Sequence, residues 1–337
     1  MGSFRTLLDA FQKRRVLVLG DIVADAYLVG RPLGVAREAP VLVLEQTETY
    51  LSPGGALNAA ANMLSLGAET SVVGLMGDDE TGRALSATLQ SLGMKTEGLI
   101  IDPNRPTSTK TRIVGKGVQE VQQHIVRIDR IDRAPLNQSL RHRMIDAVHT
   151  MLSKVDAVLV SDYSNGVISQ EVIDECVPKA RKMGKIVVVD SHGDLFRFRG
   201  VTAATPNQPE AEASTGRMIE SDEDLRAVGR MLLAGMEAEA VLITRGSDGL
   251  ALFQPQEGEY LQPVALQEQA QAVDPTGAGD TVAAAFTLAL ACGAHPRRAA
   301  YVANVAGGES VRRWGPATLQ TKDLAEALHQ TKLMPPE

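Results

Sequence analysis

Cysteine and histidine are both scarce in this chain. Among its 337 residues there are two cysteines, Cys176 and Cys292, and six histidines. Neither cysteine belongs to a C-x-x-C pair and the histidines are scattered, so the sequence argues against a disulfide scaffold, a cysteine zinc site and a histidine metal cluster. The chain also lacks an apolar run of the roughly 18 residues that a transmembrane helix needs. We therefore expect a cytoplasmic protein with no membrane partner.

Basic residues are also fewer than acidic residues. The 34 lysines and arginines are outnumbered by 41 aspartates and glutamates, which leaves a net charge of −7 at pH 7. Nucleic acids and anionic membranes are bound through broad basic surfaces, so the sequence predicts no nucleic-acid partner. An anionic substrate would have to be held by a few local cations.

The two commonest nucleotide-binding motifs are missing too. The segment GDDETGRA (77–84) has the glycine spacing of a P-loop but lacks its lysine and its serine or threonine. The first apolar run, 15–20, is not followed by G-x-G-x-x-G, which disfavours a NAD-dependent dehydrogenase. A nucleotide, if one is bound, must be bound in another way.

Apolar β-branched runs alternate with helical patterns along most of the chain. Strands that are apolar throughout and alternate with helices are typical of a parallel sheet covered by helices on both faces. The predicted strands are 15–20, 70–77, 155–162, 185–190 and 240–246, and the predicted helices are 56–67, 81–93, 169–184 and 221–235. Two extended segments, 39–51 and 107–129, break this alternation. They predict a small antiparallel sheet, suited to a lid or a dimer contact.

The stretch DPTGAGDT (274–281) stands just before an apolar helical run. Gly277 and Gly279 allow unusual backbone angles and close approach of a ligand, and the free amides of a helix N-terminus suit a phosphate. Asp280 puts a carboxylate beside that anion, which is favourable if a hydroxyl to be deprotonated lies between them. The alternative is that Asp280 only caps the helix, as aspartate commonly does.

Three weaker patterns point to a polar ligand and a metal. A glycine pair, Gly54 and Gly55, precedes a helix that carries Asn58 in its first turn; this predicts either a flexible loop or close approach to a small polar ligand. Asp21 and Asp25 are predicted either to be ordinary loop carboxylates or to accept hydrogen bonds from the hydroxyls of a polyol. The third pattern is Asn207 and Glu210, one helical turn apart, which offer the oxygen ligands that Mg²⁺ takes, usually through waters.

Four segments in a fixed order resemble the ribokinase-like (PfkB) carbohydrate kinases. The segments GGALNAAANMLSLGAETSVVGLMG (54–77) and DPTGAGDTVAAAFT (274–287) are similar to the two signature segments of that family. TPNQPEAE (205–212) is similar to its magnesium and phosphate motif, and LITRGSDG (242–249) to its nucleotide-binding strand end. The resemblance covers nearly the whole chain.

This resemblance implies one ribokinase-like α/β domain over 1–337. It implies a mostly parallel sheet with helices on both faces and a small antiparallel β lid formed by about 27–50 and 105–129. The activity it implies is ATP-dependent phosphorylation of a sugar. The rival of another class is a catalytically inactive sensor or structural subunit, which the intact Asp280 and glycine-rich loop disfavour.

The resemblance also implies roles for individual residues. Gly277, Ala278 and Gly279 would form an anion hole for the transferring γ-phosphoryl group, with Asp280 as the base. The implied substrate-binding residues are Asp21, Asp25, Gly54, Gly55, Asn58, Lys110 and Arg112. The implied ATP-binding residues are Asn207, Thr244, Arg245, Gly246, Gly249 and Asn304. The implied metal sites are Asn207 and Glu210 for Mg²⁺, through water, and Asp274 and Thr276 for a monovalent cation such as K⁺.

Within the family, several segments are similar to heptose 7-phosphate kinases: GDIVADAYLVG, EAPVLVLEQ, STKTRIV, VSDYSNGV and RGVTAATPN. That likeness implies phosphorylation of the anomeric hydroxyl of D-glycero-D-manno-heptose 7-phosphate; another sugar or phosphosugar is the alternative. Some such enzymes carry a fused nucleotidyltransferase, and since no H-x-G-H motif occurs here we expect the kinase half alone. The subgroup has cations near three positions occupied here by Gly34, Asn165 and His192.

Four cations remain as candidate phosphate ligands: Arg37, Lys110, Arg112 and Arg127. In an extended STKTRIV strand, alternate residues share a face, so Lys110 and Arg112 are predicted to grip one phosphate. The alternative is a solvated edge strand, where lysine guards against aggregation. Exposed edges and an apolar face of the lid also predict a homodimer.

Overall fold

Two β-sheets and ten helices make up the described part of the molecule. The computed structural model describes residues 2–117, 122–263, 273–316, 318–331, 333 and 335–336. Its strands are β1 (Arg15–Gly20), β2 (Ile22–Val35), β3 (Leu42–Gly55), β4 (Glu69–Gly77), β5 (Lys95–Asp102), β6 (Thr109–Lys116), β7 (Gln122–Arg130), β8 (Ala157–Asp162), β9 (Ile186–Ser191), β10 (Ala203–Ala204), β11 (Ala240–Thr244), β12 (Leu250–Gln254) and β13 (Gly258–Gln262).

The helices are distributed along the whole chain. They are α1 (Gly2–Phe11), α2 (Ala56–Ser65), α3 (Glu80–Ser91), α4 (Gln138–Leu152), α5 (Gln170–Lys182), α6 (Gln208–Thr215), α7 (Asp222–Met236), α8 (Ala278–Ala291), α9 (Pro296–Ser310) and α10 (Thr321–Gln330). The predicted helices correspond to α2, α3, α5 and α7, and the predicted strands to β1, β4, β8, β9 and β11. In the described residues no helix combines the length and the apolar character that crossing a bilayer requires.

The main sheet has nine strands in the order β13-β12-β11-β10-β9-β8-β1-β4-β5. Neighbouring strands from β11 through β5 pair in parallel, whereas the β11-β12-β13 end is antiparallel. Along β1, Val16 and Val18 pack into one buried cluster with α2 and α8, while Leu17 and Leu19 pack into a second cluster with α4 and α5. Successive side chains of a strand point to opposite faces, so the sheet is covered by helices on both. The predicted architecture, a mostly parallel sheet with helices on both faces, is confirmed.

Helix α8 is rich in apolar and small residues, which lets it pack closely inside the fold. Every residue from Asp280 to Leu290 is buried. Alanines at 283, 284, 285 and 289 are wholly enclosed, which lets the helix pack against α2, α9 and the sheet. The N-terminus of α8 lies next to the N-terminus of α2, and burial begins at Asp280.

The second sheet forms the lid and has four strands in the order β3-β2-β6-β7. Its outer pairs, β2 with β3 and β6 with β7, are antiparallel, and the central pair β2 with β6 is parallel. The segment predicted to be extended from 39 begins its strand at Leu42 and continues to Gly55. Since β6 lies between β2 and β7, the strand with Lys110 and Arg112 is internal, and the edge-strand alternative is wrong.

Candidate active site

The N-terminus of α8, the carboxyl ends of β8, β9 and β11, and the lid enclose a polar cavity of about 240 Å³. Many of the predicted site residues line it: Asp25, Gly55, Asn58, Lys110, Arg112, Asn207, Glu210, Thr244, Thr276, Gly277, Gly279 and Asp280. The carboxyl ends of parallel strands lie at a common edge of the sheet. Here β2 and β6 of the lid cover that edge of the main sheet.

A second, mostly apolar cleft of about 250 Å³ lies beside the polar cavity. Thr244, Gly246, Gly249, Ala278, Gly279 and Asn304 are the predicted site residues on its wall. The amide of Asn304 donates to the Gln262 side chain (3.1 Å) and to the Pro263 carbonyl (2.8 Å). Thr244 and Gly279 line both cavities, so the two spaces meet at the start of α8.

Four predicted residues line neither space: Asp21, Gly54, Arg245 and Asp274. Gly54 packs against Asp25, because a Cβ placed on it would lie 2.6 Å from the Asp25 carboxylate. The Arg245 side chain approaches Gln208 at 3.5 Å and Asp248 at 3.8 Å. Asp21 is buried, and its Oδ2 accepts the backbone N–H of Tyr163 at 2.7 Å.

Asp280 is buried in the first turn of α8, with both carboxylate oxygens held by donors. Asn58 Nδ2 donates to Oδ2 at 2.6 Å, and the Tyr163 hydroxyl donates to Oδ1 at 2.7 Å. Burial raises the pKa of Asp280 to about 6, and the two hydrogen bonds act in the opposite direction. The carboxylate is thus ionised at neutral pH but takes up a proton more readily than an exposed aspartate.

The start of α8 is not capped by a side chain. Its N-cap is Gly277, at φ 81° and ψ 5°, and among the described residues no side chain caps the helix there. The interpretation of Asp280 as a helix cap is therefore wrong. The Ala278 N–H donates to the Pro275 carbonyl at 3.2 Å, and this N-terminus lies where the two cavities meet, an arrangement suited to an anion.

The cations of the lid face the polar cavity in unequal ways. Arg112 is buried and donates through Nη1 to Asp25 at 2.5 Å, so its charge is compensated inside the site. Among the described residues, no carboxylate forms an ion pair with Lys110. Its Nζ stands 4.7 Å from the centroid of the Tyr163 ring, and burial lowers the pKa of its ammonium. Arg37 and Arg127 are exposed and do not line the cavity. Two of the four candidate phosphate ligands are therefore brought together.

Asn207 and Glu210 form a capping box at the start of α6. The Asn207 side chain accepts the Glu210 amide at 2.9 Å, and Glu210 Oε2 accepts the Asn207 amide at 2.8 Å. The other oxygen, Oε1, faces the cavity 3.6 Å from His192 Nδ1. Among the described residues no group of three or more His, Cys, Asp or Glu side chains could hold a metal ion directly. The donors fit Mg²⁺ that keeps most of its waters.

Asp274 lies behind the turn that precedes α8. Its oxygens accept the backbone N–H groups of Thr276 (2.9 Å) and Gly315 (3.0 Å), and His124 Nε2 of β7 is 3.5 Å away. Burial acts to raise the pKa of Asp274, but these hydrogen bonds hold it below its ordinary value. A fixed negative charge beside this turn fits a monovalent cation.

Five residues on the cavity wall are not among the predicted site residues: Tyr163, Asp190, His192, Thr205 and Pro316. Burial, Asp280 and Glu210 hold the pKa of Asp190 well above its usual range. Asp190 ends a predicted strand, and that position was its only signal. Tyr163 and His192 stack with ring centroids 4.4 Å apart. This contact joins two loops and cannot be predicted from a local sequence pattern.

Comparison with known proteins identifies the family. A family model described as pfkB family carbohydrate kinase matches residues 13–323. The chain belongs to the pfkB family of carbohydrate kinases. The predicted class, an ATP-dependent carbohydrate kinase, is confirmed at the level of this family.

Two relatives show how far the likeness of this pfkB-family chain extends. It is 37% identical over 336 residues to bifunctional protein HldE of Desulfatibacillum aliphaticivorans. The matched region covers 97% of this chain and 67% of the relative. It is 38% identical over 320 residues to bifunctional protein HldE of Citrifermentans bemidjiense, covering 94% and 64%. The chain thus spans about two thirds of the length of the curated relatives it matches.

Solved structures share the fold at lower identity. Ribokinase from Arabidopsis thaliana, complexed with ribose and ATP, superposes with a TM-score of 0.72 at 22% identity over 95% of this chain and 99% of that one. Phosphofructokinase-2 from Escherichia coli, in complex with potassium, superposes with a TM-score of 0.75 at 18% identity over 94% and 98%. These likenesses confirm the ribokinase-like fold.

Proposed function

We propose that this chain transfers the γ-phosphoryl group of ATP to the anomeric hydroxyl of D-glycero-D-manno-heptose 7-phosphate in the cytoplasm. The observation that carries the kinase assignment is the meeting of a polar cavity and an apolar cleft at Gly279, with the Asp280 carboxylate on the polar side. A nucleotide base suits the apolar cleft, and a polyhydroxylated sugar suits the polar cavity. The HldE relatives and the heptose-kinase-like segments favour the heptose phosphate.

On this proposal ATP lies in the apolar cleft. Asn304 is at the adenine end, Thr244, Gly246 and Gly249 follow the phosphates, and the amides at 277–279 receive the γ-phosphoryl group. Phosphoryl transfer depends mainly on positioning and on stabilising charge, both of which a preorganised helix N-terminus supplies. Mg²⁺, held through waters by Asn207 and Glu210, would neutralise charge on the phosphates, and K⁺ near Asp274 and Thr276 would stabilise the turn.

The acceptor hydroxyl would lie between Asp280 and the γ-phosphorus. Its oxygen bonds to phosphorus, its proton passes to the Asp280 carboxylate, and the bond to the β,γ-bridging oxygen breaks to release ADP. A pKa near 6 leaves Asp280 ionised at pH 7 and strong enough as a base to accept that proton. Asp25 and Asn58, on the same wall, would orient the sugar hydroxyls.

The phosphate of the sugar is assigned to the lid cations. Lys110 is the better candidate because Asp25 already compensates Arg112. Replacing Arg112 by alanine would also leave a buried carboxylate unpaired, which typically costs about 3–5 kcal/mol of stability. Lys110 can be truncated without leaving a buried carboxylate unpaired.

We predict that Lys110→Met raises KM for heptose 7-phosphate about 10–100-fold, as expected when one charge-assisted contact is lost. The KM values for ATP and for unphosphorylated heptose should change little. Initial rates with a panel of sugars and phosphosugars measure all three. Arg127→Met is the matched control, because Arg127 lies on the same sheet, is exposed and pairs with Asp129.

Two results would count against these assignments. Equal KM values for wild type and Lys110→Met with the phosphosugar would make a neutral sugar, or another phosphosugar, the better substrate. No turnover of any sugar in the panel would favour the inactive sensor or structural subunit.

We further propose that the chain forms a homodimer through the lid. Large apolar side chains are exposed along its strands and the β2–β3 connection: Leu33, Val35, Val41, Leu42, Ile125, Val126 and Ile128. A lid face this apolar, next to the edge strands β3 and β7 of the described sheet, is suited to a second copy of the same surface.

The dimer proposal predicts a mass of about twice 36.0 kDa by light scattering at micromolar concentration. Val126 and Ile128 are alternate residues on β7, so Val126→Lys with Ile128→Lys charges one face of the lid. This double variant should be monomeric, while Met231→Lys, an exposed apolar site on α7, should not change the mass. A wild-type monomer would contradict the proposal.

A further inference from the structure

The loop after β8 connects the lid to the base of the proposed reaction through one side chain, Tyr163. Its hydroxyl donates to Asp280 Oδ1 at 2.7 Å, opposite the Asn58 amide, which donates to Oδ2 at 2.6 Å. The two donors come from different elements, α2 and the β8 loop. Together they leave the carboxylate little freedom to rotate.

The Tyr163 ring is itself held in place by several groups. Lys110 Nζ of β6 is 4.7 Å from the ring centroid, and the His192 ring stacks with it at 4.4 Å. The Tyr163 amide donates to Asp21 Oδ2 at 2.7 Å, and the next residue, Ser164, adopts φ 57°, which is unusual outside glycine. A ring fixed in this way delivers its hydroxyl to one place.

We propose that Tyr163 is a positioning residue that holds the Asp280 carboxylate in the orientation that receives the proton of the acceptor hydroxyl, and that Asp21 acts by fixing the Tyr163 loop. This inference rests on the proposed function of Asp280 as the base. It also gives a role to Asp21, which is buried and does not line either cavity.

The hydroxyl acts as a donor and not as a second base. Burial, followed by the charges of Asp280 and Asp190, raises the pKa of Tyr163 well above its ordinary value, so the phenol stays protonated. The other ionisable groups that face Asp280 are Asp25 of β2, Lys110 of β6 and Asp190 of β9. The carboxylates of Asp25 and Asp190 disfavour the charged form of Asp280, whereas Tyr163, Asn58 and Lys110 favour it.

Tyr163→Phe tests the proposal because it keeps the ring and removes only the hydroxyl. We expect the acid limb of the kcat/KM–pH profile, near pH 6 in the wild type, to move upward by about one unit when one hydrogen bond to the charged form is lost. At pH 8.5 we expect kcat to fall about tenfold, because the carboxylate is no longer held in the reactive orientation. A residue that only supports the fold would lower the whole profile without moving its midpoint.

A second measurement does not depend on turnover. The Asp280 carboxyl signal, assigned by its loss in Asp280→Asn, can be titrated by ¹³C NMR in the folded protein. Its midpoint should rise in Tyr163→Phe and fall when 3-fluorotyrosine, a more acidic donor, occupies position 163. Tyr301→Phe is the matched control, since it removes one tyrosine hydroxyl bond, to the Leu333 carbonyl, far from the site.

These outcomes separate the two proposals. If no sugar is phosphorylated by the wild type, the proposed function fails while the NMR titration still decides the role of Tyr163. If the Asp280 midpoint is the same in wild type, Tyr163→Phe and the fluorotyrosine protein, the positioning role is overturned. The same conclusion follows if kcat at pH 8.5 is unchanged by Tyr163→Phe.

Discussion

Asp280→Asn should lower kcat by about 10²–10⁴-fold, the usual contribution of a general base. An amide cannot accept the proton of the acceptor hydroxyl. The KM for ATP should remain close to that of the wild type, because Asp280 lines the polar cavity and not the apolar cleft. Steady-state kinetics with saturating sugar measure both quantities.

The same substitution should not destabilise the protein at neutral pH. The pKa of Asp280 is raised by burial from 3.8 to about 6, so the folded state disfavours the charged carboxylate. Stability is therefore lost as pH rises from about 4 to about 6 and stays reduced above that range. A neutral asparagine avoids this loss, and its Tm should equal or exceed the wild-type value at pH 8.

Asp222→Asn provides the matched control. Asp222 is also an aspartate in the first turn of a helix, α7, but it is exposed and remote from both cavities. Its replacement should leave kcat unchanged. Wild-type kcat in Asp280→Asn would show that another group takes the proton.

Gly277→Ala should reduce kcat by about 10²–10³-fold, the range for losing one preorganised donor to a developing anion. Gly277 adopts φ 81°, which alanine avoids, and an added Cβ would lie 2.4 Å from Asn58 Nδ2. The methyl group would therefore shift the turn and push away one of the two donors to Asp280. Strain at such a position also costs about 1–3 kcal/mol, so Tm should fall.

Gly279→Ala is the informative comparison, because it lies two residues away and has an ordinary φ. An added Cβ there would meet no atom of the described residues within 4 Å. Tm should be equal to or slightly above the wild-type value, since alanine restricts the unfolded chain. The methyl group would nevertheless stand where the two cavities meet, so kcat/KM for ATP should fall.

The two glycine variants separate stability from chemistry. Tm should fall in Gly277→Ala but not in Gly279→Ala, while activity falls in both. Full activity in Gly277→Ala would rule out the 277–279 amides as the anion hole. An unchanged kcat/KM for ATP in Gly279→Ala would mean that the phosphates pass elsewhere.

The substrate side of the site was only partly predictable, and Arg112 shows why. Strand alternation correctly predicted that Lys110 and Arg112 face the same way. It could not show that Asp25, 87 residues earlier, would pair with Arg112 and compensate its charge. Nor could it show that β6 is an internal strand, because strand order depends on which neighbours pair.

The sequence by itself determined the class of fold and the nature of the α8 N-terminus. Apolar runs, helix-terminating glycines and the backbone freedom of Gly277 are local properties, set by residues near one another in the chain. The tertiary structure alone decided the partners of Asp280. Asn58 is 222 residues away and Tyr163 is 117 residues away, and they reach the same carboxylate only because α2, α8 and the β8 loop meet at one edge of the sheet. A buried polar atom takes whichever donor the packed elements bring within hydrogen-bonding distance, and that choice is made by the packing of elements far apart in sequence.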